Sequence, residues 1–280
     1  VNCRNVDVRD VTLKDSPMWV QHYLACEGVR ISGVRVRSRV NGNNDGIDID
    51  SCQRVRISDC DISSGDDGIC LKSTYGQPCR DVVVSNCIVS SDSNGIKLGT
   101  ETNGGFENIA VTNCTVYDTR LSGVALEIVD GGIMDGVVVS NIAMRKLDAA
   151  VFVRLGDRAR PFRTNGPRPG VGKLRNVVVQ GIQASGVGKT GCVVSGLPAH
   201  PIEGLTLRDI SVVTAGGGNA ADAKRVVPEA ADQYPEYSMF GVLPAHGLYA
   251  RHVRGLVLEN VRCTTILPDA RPGVVRDDVE

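Results

Sequence analysis

Nine apolar residues, Val6, Val29, Val55, Val82, Ile109, Val137, Val177, Leu205 and Leu256, each head a copy of one pattern. Four residues after each stand Asp10, Gly33, Asp59, Asn86, Asn113, Asn141, Gly181, Asp209 and Asn260, all Asn, Asp or Gly. These residues tolerate a left-handed backbone or cap a turn with their own side chain. The next position is apolar in every copy: Val11, Val34, Cys60, Cys87, Cys114, Ile142, Ile182, Ile210 and Val261. So is the position three residues before each anchor: Cys3, Cys26, Cys52, Cys79, Phe106, Met134, Leu174, Ile202 and Val253. Each copy reads as a strand, a one-residue corner and another strand. Such a unit cannot bury its apolar face alone, but stacked copies make one continuous core.

The first gaps between anchors are 23, 26, 27, 27 and 28 residues, too short for propeller blades of roughly 40 residues. Neither a leucine consensus nor helical repeats appear. The period therefore predicts an all-β fold, a parallel β-helix of about ten coils rising roughly 4.8 Å per coil. Later gaps of 40, 28 and 51 residues imply insertions. Residues 1–280 are expected to form a single solenoid domain with inserted loops near 154–173 and 215–244. Low aromatic content, 4%, and 32 glycines suit such a turn-rich β architecture.

Lys+Arg is 31 and Asp+Glu is 32, so there is no basic excess for nucleic acid or an anionic membrane. No run reaches 18 apolar residues, so no membrane span is expected. Seven of the ten cysteines fall in the two apolar columns, and stacked free thiols are expected rather than disulfides. No Cys–His cluster suggests zinc, and the four histidines are scattered; neither a metal nor a cofactor is expected. The chain opens on VNCRNVDVRD, already strand-like and without a signal peptide, as a fragment or mature form would.

A fourth column carries charge. The segments NNDGIDID (43–50), GDDGICLK (65–72), SNGIKLGT (93–100) and LSGVALEI (121–128) align on Gly46, Gly68, Gly95 and Gly123. A recurrent glycine marks a bend or a close backbone approach. The residues before it, Asp45, Asp67, Asn94 and Ser122, should be neighbours on successive coils, with Asp66 beside them. Three carboxylates then converge on one face. Single aspartates in this chain read as turn caps. Three together at glycines fit neither capping alone nor a calcium loop pattern. Crowded carboxylates raise at least one pKa, which supplies a proton donor beside a carboxylate that can activate water, the pair glycoside hydrolysis uses. Asp45, Asp66 and Asp67 are thus the candidate catalytic residues.

These segments, together with SPMWVQHYL (16–24), resemble the glycoside hydrolases of family 28, the polygalacturonases and rhamnogalacturonases. The resemblance implies a right-handed parallel β-helix and inversion of configuration. It makes Asp66 the general acid, with Asp45 and Asp67 positioning and deprotonating the water. It also implies a polysaccharide or oligosaccharide substrate of pectic type and a secreted or periplasmic location; a monomer is expected. Two departures stand out. Family polygalacturonases carry Gly-His-Gly where this chain has Ser93-Asn94-Gly95. They also carry Arg-Ile-Lys, whose cations grip the galacturonate carboxylate, where this chain has Ala125-Leu126-Glu127.

Lys72 and Lys97 lie in the same strand column and are candidates to replace those cations, as is the arginine-rich segment from Arg154 to Lys173, which could fold over the groove. Asn94 is a substrate-binding candidate by its place in the column. Glu101, Glu127 and Asp130 are expected to accept hydroxyls of a neutral sugar. Tyr234, Tyr237 and Phe240 of the second insertion either stack on sugars or pack the insertion down, and DAKRVVPEAADQY has room for a short helix. The alternatives are a polysaccharide lyase or epimerase on the same fold, and a non-catalytic carbohydrate-binding solenoid. The apparent lack of an arginine close to the acids counts against a lyase. Retention of all three acids counts against a binding module.

Overall fold

A computed structural model describes all 280 residues. The chain winds as a right-handed parallel β-helix whose only helical pieces are 3-10 turns at Asp222–Lys224 and Tyr237–Phe240. Every strand ladder is parallel, and the anchors stack in register: Val6↔Val29, Val29↔Val55, Val82↔Val55, Val82↔Ile109, Ile109↔Val137, Val137↔Val177 and Val177↔Leu205. The ninth copy follows as Thr206↔Val257 and Leu207↔Leu258. A core of 55 buried residues runs without a break from Cys26 to Val253.

All nine corner residues adopt positive φ, from Asn260 at 51° to Gly33 and Gly181 at 64°. The corner side chains also bond along the stack: Asn141 donates to Asn113 at 3.2 Å and Asn260 to Asp209 at 2.7 Å. A second left-handed column, not singled out in the sequence, lies one residue before each anchor: Asn5, Gly28, Arg54, Asp81, Asn108, Gly136, Asn176, Gly204 and Gly255. Only Arg54 departs there from the residue types that favour this backbone.

All ten cysteines are free and most are buried. Cys3 is the exception within the apolar columns: it sits on the first coil, covered by a neighbouring coil on one side only, and is exposed. The insertions leave the solenoid between Leu155 and Lys173 and between Thr214 and Leu248. The second packs down through Phe240, Leu243 and Val227 onto Ala125, Phe152, Val193 and Tyr249, a satellite apolar cluster outside the main core. The expected short helix is the 3-10 turn at Asp222–Lys224. No helix is long and apolar enough to cross a membrane.

The glycine column sets the closest approach in the fold. A Cβ on Gly46 would lie 2.5 Å from the Gly68 carbonyl oxygen; one on Gly68 would lie 2.5 Å from the Gly95 oxygen and 2.3 Å from Val89 Cγ1. Gly68→Ala is therefore expected to lower stability by about 1–3 kcal/mol through overpacking. Asn113→Ala, at an exposed corner, should cost about 1–2 kcal/mol through its left-handed backbone. Thermal melts of both variants check this.

Candidate active site

The site is built on four short parallel segments, Ile47–Asp50, Ile69–Lys72, Ile96–Leu98 and the end of Phe106–Ile128. Alternation along a strand sends neighbouring side chains to opposite faces. Ile47, Ile49, Ile69, Leu71, Ile96, Leu98, Val124 and Leu126 point into the core. Asp48, Asp50, Cys70, Lys72, Lys97 and Glu127 therefore point outward, yet all are nine-tenths or more buried, because loops cover that face.

The turn leading into each segment is tied to the next coil. The Gly46 amide donates to the Asp67 carbonyl at 2.9 Å, Gly68 to Asn94 at 2.8 Å and Gly95 to Ser122 at 2.9 Å. This register stacks Asp45, Asp67, Asn94 and Ser122 as the spacing predicts. Asp66 lies alongside, its amide donating to the Asn44 carbonyl at 3.3 Å. Asn44 in turn donates to the Ser16 and Met18 carbonyls, both at 2.8 Å, and so fixes the loop that carries Asp45.

Two buried lysines neutralise the cluster. Lys72 Nζ is 3.3 Å from Asp45, 3.4 Å from Asp48 and 3.7 Å from Glu101. Lys97 Nζ is 3.3 Å from Asp67 and 3.1 Å from Glu236. Asp67 also accepts from the Asn94 amide at 3.0 Å and from Asn94 Nδ2 at 2.9 Å. Burial pushes the Asp67 carboxyl up, but Lys97, Lys72 and these two bonds outweigh it and hold the group below the usual carboxylate range. Asp66 has the opposite environment. Burial, then the negative charges of Asp67 and Asp45, push it up to about 7. Burial also raises Asp45, against the pull of Lys72. Adjacent carboxyls thus differ: one keeps its proton near neutral pH and the other gives it up.

Several expected binding residues have other work. Asn94 is fully buried; its amide bonds Asp67 and Glu236 while its oxygen accepts from the Ser122 amide, so it holds acids in place rather than sugar. Asp130 is fully buried and is taken up by the Arg158 guanidinium and the Arg160 amide. Glu127 is also fully buried, neither oxygen has a hydrogen-bond partner, and burial pushes its carboxyl well up, so it is closed off from sugar hydroxyls. Of the expected acid row only Glu101 remains partly open to solvent, held below its ordinary range by Lys72 and Arg158 despite burial.

The 154–173 segment does reach the site, through one residue. Arg158 pairs with Asp130 and lies 3.5 Å from Glu101, while no arginine pairs with Asp45, Asp66 or Asp67. Arg154 turns away and donates to the Glu229 and Ala230 carbonyls. The second insertion supplies what the repeats do not. Glu236 enters between Lys97 and Asn94, and Tyr234 lies 5.5 Å from Lys97 and 5.6 Å from Arg158 across its ring while its hydroxyl accepts from Thr100 at 3.1 Å. Trp19 covers Lys72 on the other flank at 4.9 Å. Oxygens of Asp45 and Asp67 and the sulfur of Cys70 lie within 4.8 Å of one another, a spacing a metal ion could use. The two ammonium groups, each 3.3 Å from one of those carboxylates, already supply the positive charge there.

The sequence model for glycosyl hydrolases family 28 matches residues 1–231. This chain belongs to that family. Over 82 residues it is 37% identical to a probable polygalacturonase of Vitis vinifera, an alignment covering 26% of this chain and 17% of that protein. Among solved structures it is similar to a hyperthermoactive exopolygalacturonase from Thermotoga maritima, with 27% identity and a TM-score of 0.66 over 76% of this chain and 48% of the other. The family 28 exopolygalacturonase of Yersinia enterocolitica, 16% identical with a TM-score of 0.65, covers 96% of this chain and 43% of its own and shares the fold. The chain therefore spans under a fifth of the plant relative and less than half of either bacterial enzyme.

The split between Asp66 and Asp67 has a pH signature. An acid that must be protonated is fully effective below its pKa and lost above it. Activity, measured as kcat/KM, is expected to fall about tenfold per pH unit above pH ~7 as Asp66 ionises. Asp67 stays ionised through the mildly acidic range. A profile flat from pH 6 to pH 9 would remove Asp66 as the acid.

Proposed function

We propose that this chain is the core of an inverting O-glycoside hydrolase acting on a pectic or related polysaccharide. The observation that carries the reading is the pair of adjacent aspartates, one held protonated and one held ionised, on a face that loops close over. Asp66 gives its proton to the glycosidic oxygen as the bond from the anomeric carbon to that oxygen breaks. Asp67, with Asp45 beside it, takes a proton from a water whose oxygen bonds to the anomeric carbon from the opposite face. The product sugar leaves with inverted configuration, and solvent exchange returns the proton to Asp66. Lys97 and Asn94 keep Asp67 anionic, and Lys72 holds Asp45 in place. The polygalacturonase names of the relatives support a pectic substrate. Such a polymer lies outside the cell, which favours a secreted or periplasmic enzyme.

The catalytic arrangement needs no metal, since Lys72 and Lys97 occupy the positions at which a cation would balance the acids. A lyase would need an unpaired base next to a cation able to stabilise a carbanion, and both lysines here are engaged by carboxylates.

The test is product release from a panel of homogalacturonan, rhamnogalacturonan fragments and neutral side chains, with the anomer of the fresh product read by proton NMR. One substrate should be cut with inversion, and Asp66→Asn should lose about 10²–10⁴-fold in kcat. Retained configuration would overturn the mechanism. Binding without turnover by the wild type would replace hydrolysis with a carbohydrate-binding role.

A further inference from the structure

Every cation around the three aspartates is engaged by the protein's own carboxyl groups. Lys72 has Asp45, Asp48 and Glu101. Lys97 has Asp67 and Glu236. Arg158 has Asp130 and Glu101. Three cations thus face Asp45, Asp48, Asp66, Asp67, Glu101, Glu127, Asp130 and Glu236. Setting aside Asp48, Asp66 and Glu127, whose carboxyls burial pushes up, still leaves five carboxyl groups for three cations, so no cation is free for a carboxylate arriving with a substrate.

Glu236 decides this on the Lys97 side. Its carboxylate takes the Lys97 ammonium at 3.1 Å and Asn94 Nδ2 at 3.1 Å, the two donors that would otherwise bind an incoming anion. Lys97 is 1% exposed and has no second face to offer. The residue paired with Lys97 on the next coil is Ala125, whose small side chain packs with Phe240 of the same insertion.

Glu236 is not on a free arm. On one side Tyr234 bonds Thr100 at 3.1 Å; on the other Tyr237 donates to Asp148 at 3.0 Å and Phe240 is 1% exposed. Upstream, Arg154 holds the Glu229 and Ala230 carbonyls at 3.0 and 2.9 Å. The insertion is a wall of the site. A displaceable stand-in for a substrate carboxylate would need a segment free to withdraw, and these contacts hold this one on both sides.

We propose that Glu236 is a specificity-determining residue that closes the Lys97 side of the cluster to carboxylates, so that the sugar seated there is neutral. Uronate units of a polymer then lie elsewhere along the groove. Tyr234, 54% exposed between Arg158 and Lys97, gives that sugar an apolar face to stack on.

The inference rests on the hydrolase reading for the word substrate, but its test reads binding alone. Asp66→Asn protein, with and without Glu236→Gln, is titrated calorimetrically with α-1,4-linked digalacturonate and with the same disaccharide lacking carboxylates. The neutral disaccharide should bind Asp66→Asn more tightly. Glu236→Gln frees Lys97 and should tighten digalacturonate about tenfold or more, a gain that shrinks as salt is raised, while leaving the neutral sugar within about threefold. Melting temperatures and an Asp66→Asn/Glu236→Ala protein control for misfolding. Digalacturonate affinity that is unchanged or lower on adding Glu236→Gln, or a preference of the Asp66→Asn protein for digalacturonate, overturns the inference. The hydrolase reading stands or falls separately, on turnover of the glycan panel.

Discussion

The structure depends on backbone-to-backbone contact between coils at Gly46, Gly68, Gly95 and Gly123. A side chain at any of the first three would collide with the carbonyl of the next coil's glycine. Coils can close to strand-pairing distance there only because nothing intervenes, and the residue before each glycine is forced into a stack. The stack brings Asp45 and Asp67 together, with Asp66 attached by peptide connectivity. Like charges so close are costly in isolation. Lys72 and Lys97, delivered four and two residues after the glycines by the same strands, make the concentration tolerable.

The lysines do more than compensate. Both interact with the cluster unequally: Lys97 is tight to Asp67 and Lys72 to Asp45, while Asp66 has neither within bonding distance. Asp66 is left to burial and to its neighbours' charge, and holds its proton. The asymmetry that glycosidic hydrolysis requires thus follows from both lysines pointing outward and each reaching the aspartate before the glycine of the preceding coil, Lys72 to Asp45 and Lys97 to Asp67. Two aromatic rings, Trp19 over Lys72 and Tyr234 over Lys97, cover the cations from solvent and bracket the acids along the groove.

What the repeats carry was legible in the sequence. The solenoid, its corners and the stacked acids follow from residue types recurring in register, and so do the thiol columns. The second left-handed column is equally readable from its Asn, Asp and Gly residues, with Arg54 alone interrupting it. What the insertions carry was not legible. Glu236 meets Lys97 across 139 residues of sequence, and no period links them. The same holds for Glu127 and Asp130, which the repeat alone places in the groove. Strand alternation does point Glu127 outward, but only the folded insertion and the Arg158 loop show that both acids end up covered. Arg158 sits among five arginines of one segment, and nothing local distinguishes it from Arg168, which pairs with Asp157 on the surface.

The central claim is that coil stacking gives adjacent aspartates opposite protonation. It is tested most directly by carbon-13 NMR titration of the aspartate carboxyls, with Asp66 assigned by its absence in Asp66→Asn. The account predicts a carboxyl titrating near pH 7 that vanishes in that variant, and an Asp67 resonance still ionised below the ordinary carboxylate range. Titration of Asp66 and Asp67 together between about pH 3 and 4.5 would contradict it.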